Sequence, residues 1–83
     1  MVFETLMTEE FVKSFKKLDN SIKRVAEKKI GKILESPLLG KPLQGRPGRF
    51  SERFLQFRIV YEVSETTIIF IRIGKRDEVY RNF

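Results

Sequence analysis

The C-terminal half of this sequence gathers cations around a tyrosine: Arg49, Arg53, Arg58, Arg72, Lys75, Arg76, Tyr80 and Arg81. Such a set suits work on a phosphodiester. Cleaving RNA requires a base to activate the 2′-hydroxyl, an acid for the departing 5′-oxygen and cations to hold the charge that builds on phosphorus. Arginine fits the last role because its planar fork pairs with phosphate through two hydrogen bonds. Tyrosine can orient a substrate, stack on a base or relay a proton. The same residues also read as a solvated sheet face, or as an RNA-binding surface without chemistry. Lys13, Lys16, Lys17, Lys23, Arg24, Lys28, Lys29 and Lys32 read as the solvated faces of helices.

Composition narrows the chemistry further. The 83 residues include no His and no Cys, which removes the usual base near neutral pH, thiolate nucleophiles, disulfides and the commonest metal ligands. Catalysis then falls to Lys, Arg, Tyr, Asp or Glu. Seventeen basic against eleven acidic residues give a net charge of +6, a field that attracts polyanions. Nucleic acid is the leading partner and an acidic protein the second. There is no GxxxxGK[ST] loop and no metal-ligand cluster or Ser/His/Asp set in the pattern. No apolar run reaches the roughly 18 residues of a membrane span, so a cytoplasmic protein without membrane association is expected.

The elements that must position these cations follow from periodicity. Residues 2–7 alternate loosely, as a strand does. Thr8 is a plausible N-cap, Glu9 and Glu10 suit a first helical turn, and Phe11, Phe15 and Leu18 recur at helical spacing, giving a helix over about 9–18. Asp19, Asn20 and Ser21 form a turn and cap. Ile22, Val25, Ala26, Ile30, Ile33 and Leu34 then line one face of a second helix, which ends at Ser36–Pro37. Residues 38–48 hold Gly40, Pro42, Gly45, Pro47 and Gly48, read as an irregular surface crossing. Strands are expected over 49–55, 57–63 and 67–73, the last two forming a hairpin, followed by a polar tail from Gly74. In the middle strand Phe57, Ile59, Tyr61 and Val63 share a face opposed by Arg58, Val60 and Glu62. In the last, Thr67, Ile69, Ile71 and Ile73 oppose Ile68, Phe70 and Arg72. The expectation is an α+β fold in a single domain, 1–83: an N-terminal strand and a helical hairpin packed on a small, mainly antiparallel four-stranded sheet, with a short C-terminal tail or helix.

Leu34–Glu35–Ser36–Pro37, Gly40–Lys41–Pro42–Leu43–Gln44–Gly45, Phe57–Arg58–Ile59–Val60–Tyr61–Glu62–Val63 and Ile71–Arg72–Ile73–Gly74–Lys75–Arg76–Asp77–Glu78–Val79–Tyr80 together resemble the RelE/ParE toxin superfamily over almost the whole chain. Arg76 and Tyr80 draw the likeness toward the RelE branch. That resemblance implies the toxin of a type II toxin–antitoxin system, an endoribonuclease that cleaves mRNA in the ribosomal A site without metal or cofactor. It implies as partners a RelB-like antitoxin, the ribosome and mRNA, and DNA only as the toxin–antitoxin complex.

Residue by residue, the resemblance gives Arg58 the role of stabilising the transition-state phosphate, Arg76 an acid or phosphate-binding role, and Tyr80 that of orienting the substrate. Arg53 falls near one of two basic positions on the preceding strand. Ser51 occupies the other, where RelE-type toxins carry a lysine proposed as general base. Glu52 or Lys75 could supply the base instead, although alternation sends Glu52 to the face opposite Ser51 and Arg53. Arg49, Arg72, Lys75 and Arg81 are the supporting phosphate-binding cations. Two alternatives stand beside this reading: a ParE-like toxin that binds gyrase and cleaves no RNA, and an inactive RNA-binding relic.

Overall fold

The computed structural model describes residues 4–43, 45 and 47–75. Strand β1 (Glu4–Met7) leads into helices α1 (Glu9–Lys16) and α2 (Asn20–Glu35). A single 3₁₀ turn (Pro37–Leu39) and strands β2 (Lys41–Pro42), β3 (Arg49–Phe54), β4 (Phe57–Val63) and β5 (Thr67–Lys75) follow. The strands form one sheet in the order β1-β5-β4-β3-β2. β1 runs parallel to β5, and the other neighbours are antiparallel.

Thr8 starts α1 and ties it to the sheet. Its hydroxyl accepts from the Phe11 N–H at 3.1 Å and donates to the Ile71 carbonyl at 2.7 Å, so one side chain satisfies an orphan amide of the helix and a carbonyl of β5. Phe11 packs on Phe70, ring centroids 5.5 Å apart. Ala26 and Ile33 of α2 are buried against the same side of the sheet. There they meet Phe54, Ile59, Tyr61, Ile68, Phe70 and Ile73, and each large apolar side chain so buried contributes about 1.5–3 kcal/mol. Serine and proline at 36 and 37 stop α2 where expected, and the Asp19 cap makes no side-chain hydrogen bond.

Four expectations need correction. The crossing over 38–48 is not wholly irregular, because it contains part of the 3₁₀ turn and β2. Proline at 42 is compatible with a strand there because β2 is the edge of the sheet, and it raises the strand count from four to five. β5 runs on through Gly74 and Lys75, residues expected in the tail, since their ladder with Phe57 and Arg58 continues. α1 stops at Lys16 rather than near residue 18.

The fourth correction concerns the faces of β5. Tyr61 pairs with Phe70 and Val60 with Arg72, leaving Ile71 as an extra residue. This β-bulge breaks the alternation. Ile68, Phe70 and Ile73 all reach the helix side, whereas strict alternation would set Ile73 against the other two. Arg72 consequently shares the opposite, open face with Val60. The carbonyl of the bulged Ile71 is the one that Thr8 holds.

Candidate active site

Directly paired residues in a sheet share a face, so the register fixes what stands on the side turned away from the helices. Three rows cross the sheet there. The first is Arg49–Glu62–Ile69, the second Lys41–Ser51–Val60–Arg72 and the third Arg53–Arg58–Gly74. Ser51 and Val60 form a buried floor, 1% and 0% exposed. Cations surround it on β2, β3, β4 and β5.

Arg53 and Arg58 are directly opposite each other, a placement that like charges disfavour. The pairing sets two basic residues on neighbouring strands at one corner of this face, which makes the corner a candidate anion site. The Arg58 Nη1 donates to the Ser51 hydroxyl at 3.3 Å. Ser51 therefore orients Arg58, and its small side chain lets the long guanidinium lie across β3. Gly74, opposite Arg58, places no side chain beside it in that row.

The remaining cations differ in how far they are committed. Arg49 donates through Nε to Glu62 at 3.1 Å, and Arg72 lies 3.2 Å from a carboxylate oxygen of Glu10. Arg53 and Lys41 have no carboxylate within ion-pair distance among the described residues. Sequence reasoning placed Arg49, Arg53, Arg58 and Arg72 in the site, and the fold brings those four together. Lys41 was missed, as were the carboxylates Glu62 and Glu10. A two-residue strand has no periodicity to read, and only a proline-tolerant edge position next to a strand would have hinted at it.

Two base candidates lie on the wrong side. Glu52 pairs with Ile59 on the helix side, where it sits 3.7 Å from Lys29. Lys75 pairs with Phe57 and lines a cleft with Lys17, Asp19 and Ile22, so the fold does not gather it with the arginines. Arg76, Tyr80 and Arg81 lie outside the described residues. An apolar groove formed by Met7, Phe11, Val12, Phe15 and Ile30 also belongs to the helix side and is remote from this chemistry.

Tyr61, by contrast, is structural. It is fully buried and donates its hydroxyl to the Pro37 carbonyl at 3.0 Å. Burial, reinforced by the charge of Glu52 and opposed by a hydrogen bond from the Gly40 backbone, pushes its pKa up to about 12. Gly40 lies against its ring: a Cβ there would collide with the Tyr61 hydroxyl and come within 3.1 Å of Cζ. The proline and glycine of Pro37–Leu38–Leu39–Gly40 and the tyrosine of β4 are thus one packing unit, which docks β2 onto β3.

No curated protein matches the sequence. The family model of the ParE toxin of the type II toxin–antitoxin system parDE matches residues 6–80. Solved structures give the same architecture. The isolated Escherichia coli RelE toxin is 28% identical with a TM-score of 0.81, over 96% of this chain and 93% of that one. The toxin–antitoxin complex RelBE2 of Mycobacterium tuberculosis matches at 29% identity and a TM-score of 0.75, over 92% and 100% of the two chains. The RelB–RelE antitoxin–toxin complex of Methanococcus jannaschii matches at 28% and 0.76, over 94% and 98%. With the family model covering residues 6–80 and the RelE fold matched over most of both chains, this chain belongs to the RelE/ParE superfamily, as a RelE-like toxin of a type II toxin–antitoxin system.

Proposed function

We propose that the chain is an endoribonuclease that cleaves mRNA in the ribosomal A site and so arrests translation. The observation that carries this reading is the opposed pair Arg53 and Arg58, with Arg58 held by Ser51, on a sheet face that also bears Arg49, Arg72 and Lys41. In the reaction the 2′-hydroxyl loses its proton to solvent water as its oxygen attacks the adjacent phosphorus, and the bond from phosphorus to the 5′-oxygen breaks as that oxygen takes up a proton. The products are a 2′,3′-cyclic phosphate and a 5′-hydroxyl. Arg58 and Arg53 neutralise the extra negative charge of the phosphorane, a contribution greatest in the transition state. Arg49 and Arg72 guide the RNA backbone across the face. Arg76 protonates the leaving oxygen or holds the phosphate, Tyr80 orients the nucleotide, and Arg81 adds a phosphate contact. The face's basic character also suits the rRNA that surrounds an A site.

The solved relatives include complexes with RelB antitoxins, and a RelB-like partner is proposed here too, with DNA bound only by the toxin–antitoxin complex. Cleavage of a reporter mRNA in a purified translation system tests the reading. Wild-type chain should cut the message only on ribosomes, and Arg58→Ala should lower the rate roughly tenfold to a hundredfold, the worth of one charge-assisted contact, while leaving the fold intact. Unchanged cleavage by Arg58→Ala would remove Arg58 from the site. The ParE family match favours a second reading, inhibition of gyrase. Loss of supercoiling activity with no RNA cleavage would select it.

A further inference from the structure

The register that gathers the arginines also brings in a cation from the edge of the sheet. Lys41 is the cross-strand partner of Ser51, which puts its Cβ about 5 Å from that of Ser51 on the open face. Ser51 is the residue whose hydroxyl holds Arg58. A lysine's flexible four-carbon stem is long enough to reach from there across the Ser51 floor to the Arg53–Arg58 corner.

Short as it is, β2 is held firmly. Gly40 is packed on Tyr61, the Tyr61 hydroxyl is bonded to Pro37, and the Leu43 N–H donates to the Arg49 carbonyl at 3.0 Å. The backbone at Lys41 is thus fixed on both sides, while its side chain is exposed. Arg49, Arg72 and Lys29 each lie beside a carboxylate, and Lys41 does not among the described residues.

We infer that Lys41 is a phosphate-contacting residue of this site, its ammonium donating to a nonbridging oxygen of the scissile phosphodiester from the β2 side while Arg58 approaches from β4. The assignment rests on the ribonuclease reading given above. It adds a third positive charge around the phosphorane, delivered from the edge strand of the sheet.

Single-turnover cleavage on programmed ribosomes, with toxin titrated to saturation, separates the possibilities for wild type, Lys41→Gln, Lys41→Arg and Arg58→Ala, each first checked for an unchanged thermal melt. Lys41→Gln should lower the saturating rate roughly tenfold or more with the half-saturating concentration within about twofold of wild type. Lys41→Arg should recover most of that loss, since it restores the charge. An unaltered rate in Lys41→Gln, or a loss confined to the half-saturating concentration, would overturn the assignment, the latter placing Lys41 on ribosomal RNA instead. If wild type cleaves and Arg58→Ala is impaired while Lys41→Gln is normal, only the Lys41 assignment fails. If wild type itself cuts nothing on ribosomes, the ribonuclease reading fails, and the Lys41 assignment with it.

Discussion

Replacing Gly40 by alanine adds one methyl group at the point where β2 meets the core. Gly40 has φ −66° and ψ 167°, a conformation that alanine adopts readily, and on backbone grounds the change should stabilise by about 0.4–1 kcal/mol. Sterics reverse the sign. The new Cβ collides with the Tyr61 hydroxyl and lies 3.1 Å from Cζ and 3.2 Å from the Ser51 carbonyl. The ring is hemmed in by Phe50 and Phe70, with centroids 5.7 Å and 6.1 Å away, and is fully buried. Forcing it aside costs about 1–3 kcal/mol in overpacking. Losing the bond to the Pro37 carbonyl adds about 1 kcal/mol. Gly40→Ala should therefore destabilise by about 1–3.5 kcal/mol, centred near 2, a large share of the 5 kcal/mol or so that marks the low end for small domains. Tyr61→Phe removes the colliding atom at a cost of about 1–2 kcal/mol for the carbonyl left unsatisfied. In that background Gly40→Ala should cost less than about 1 kcal/mol, a coupling well above the error of a double-mutant cycle. Urea unfolding followed by circular dichroism supplies all four stabilities. Gly40→Ala as stable as wild type, or equally damaging with and without the hydroxyl, would refute the packing unit.

Tyr61 also predicts behaviour in alkali. Its pKa, raised to about 12 in the fold against about 10 in the unfolded chain, means the native state keeps the proton more tightly. The stabilisation is complete below pH 10 and is lost as pH rises through about 12, up to about 3 kcal/mol in all. Unfolding of wild type and Tyr61→Phe compared between pH 9 and 12 should show a shallower alkaline decline in the variant; parallel declines would contradict the assignment. Leu55, in the two-residue turn between β3 and β4, has φ 52°, a left-handed conformation costing a non-glycine residue about 1–2 kcal/mol. Leu55→Gly should raise the urea midpoint by an equivalent of about 0.5–1 kcal/mol, and a lowered midpoint would show that the exposed leucine is needed for packing. Glu62→Gln releases Arg49 on the open face. Binding to a 2′-deoxy-substituted, uncleavable RNA should tighten, and the salt slope should steepen by about 0.7, one more neutralised phosphate; an unchanged slope would mean that Arg49 stays off the RNA.

The sequence by itself settled what is local. Helical spacing of Phe11 and Phe15, and of Ala26 and Ile33, defined two amphipathic helices whose apolar faces are the ones found in the core. Alternation in Phe57–Val63 separated Arg58 from Ile59 and Tyr61 correctly, because β4 is regular and central. It also put Glu52 behind the sheet, as the structure does. The runs ending at Pro37 and beginning at Gly40 carried the family resemblance before the reason for them was visible, which is the contact of Gly40 and Pro37 with Tyr61.

Only the tertiary structure decided the rest. A bulge is invisible to a two-residue period, so the side on which Ile73 and Arg72 stand depended on which residue of β5 is left out of the ladder, and the carbonyl of that residue is bonded to Thr8, 63 positions away. Pro42 hides β2 from any propensity, and only pairing with β3 makes Lys41 a neighbour of Ser51. The carboxylates that Arg49 and Arg72 face, Glu62 and Glu10, are brought close by strand pairing and by the start of α1. Residue types are written in the chain, but their faces, registers and counter-charges come from hydrogen-bond ladders between segments far apart in sequence.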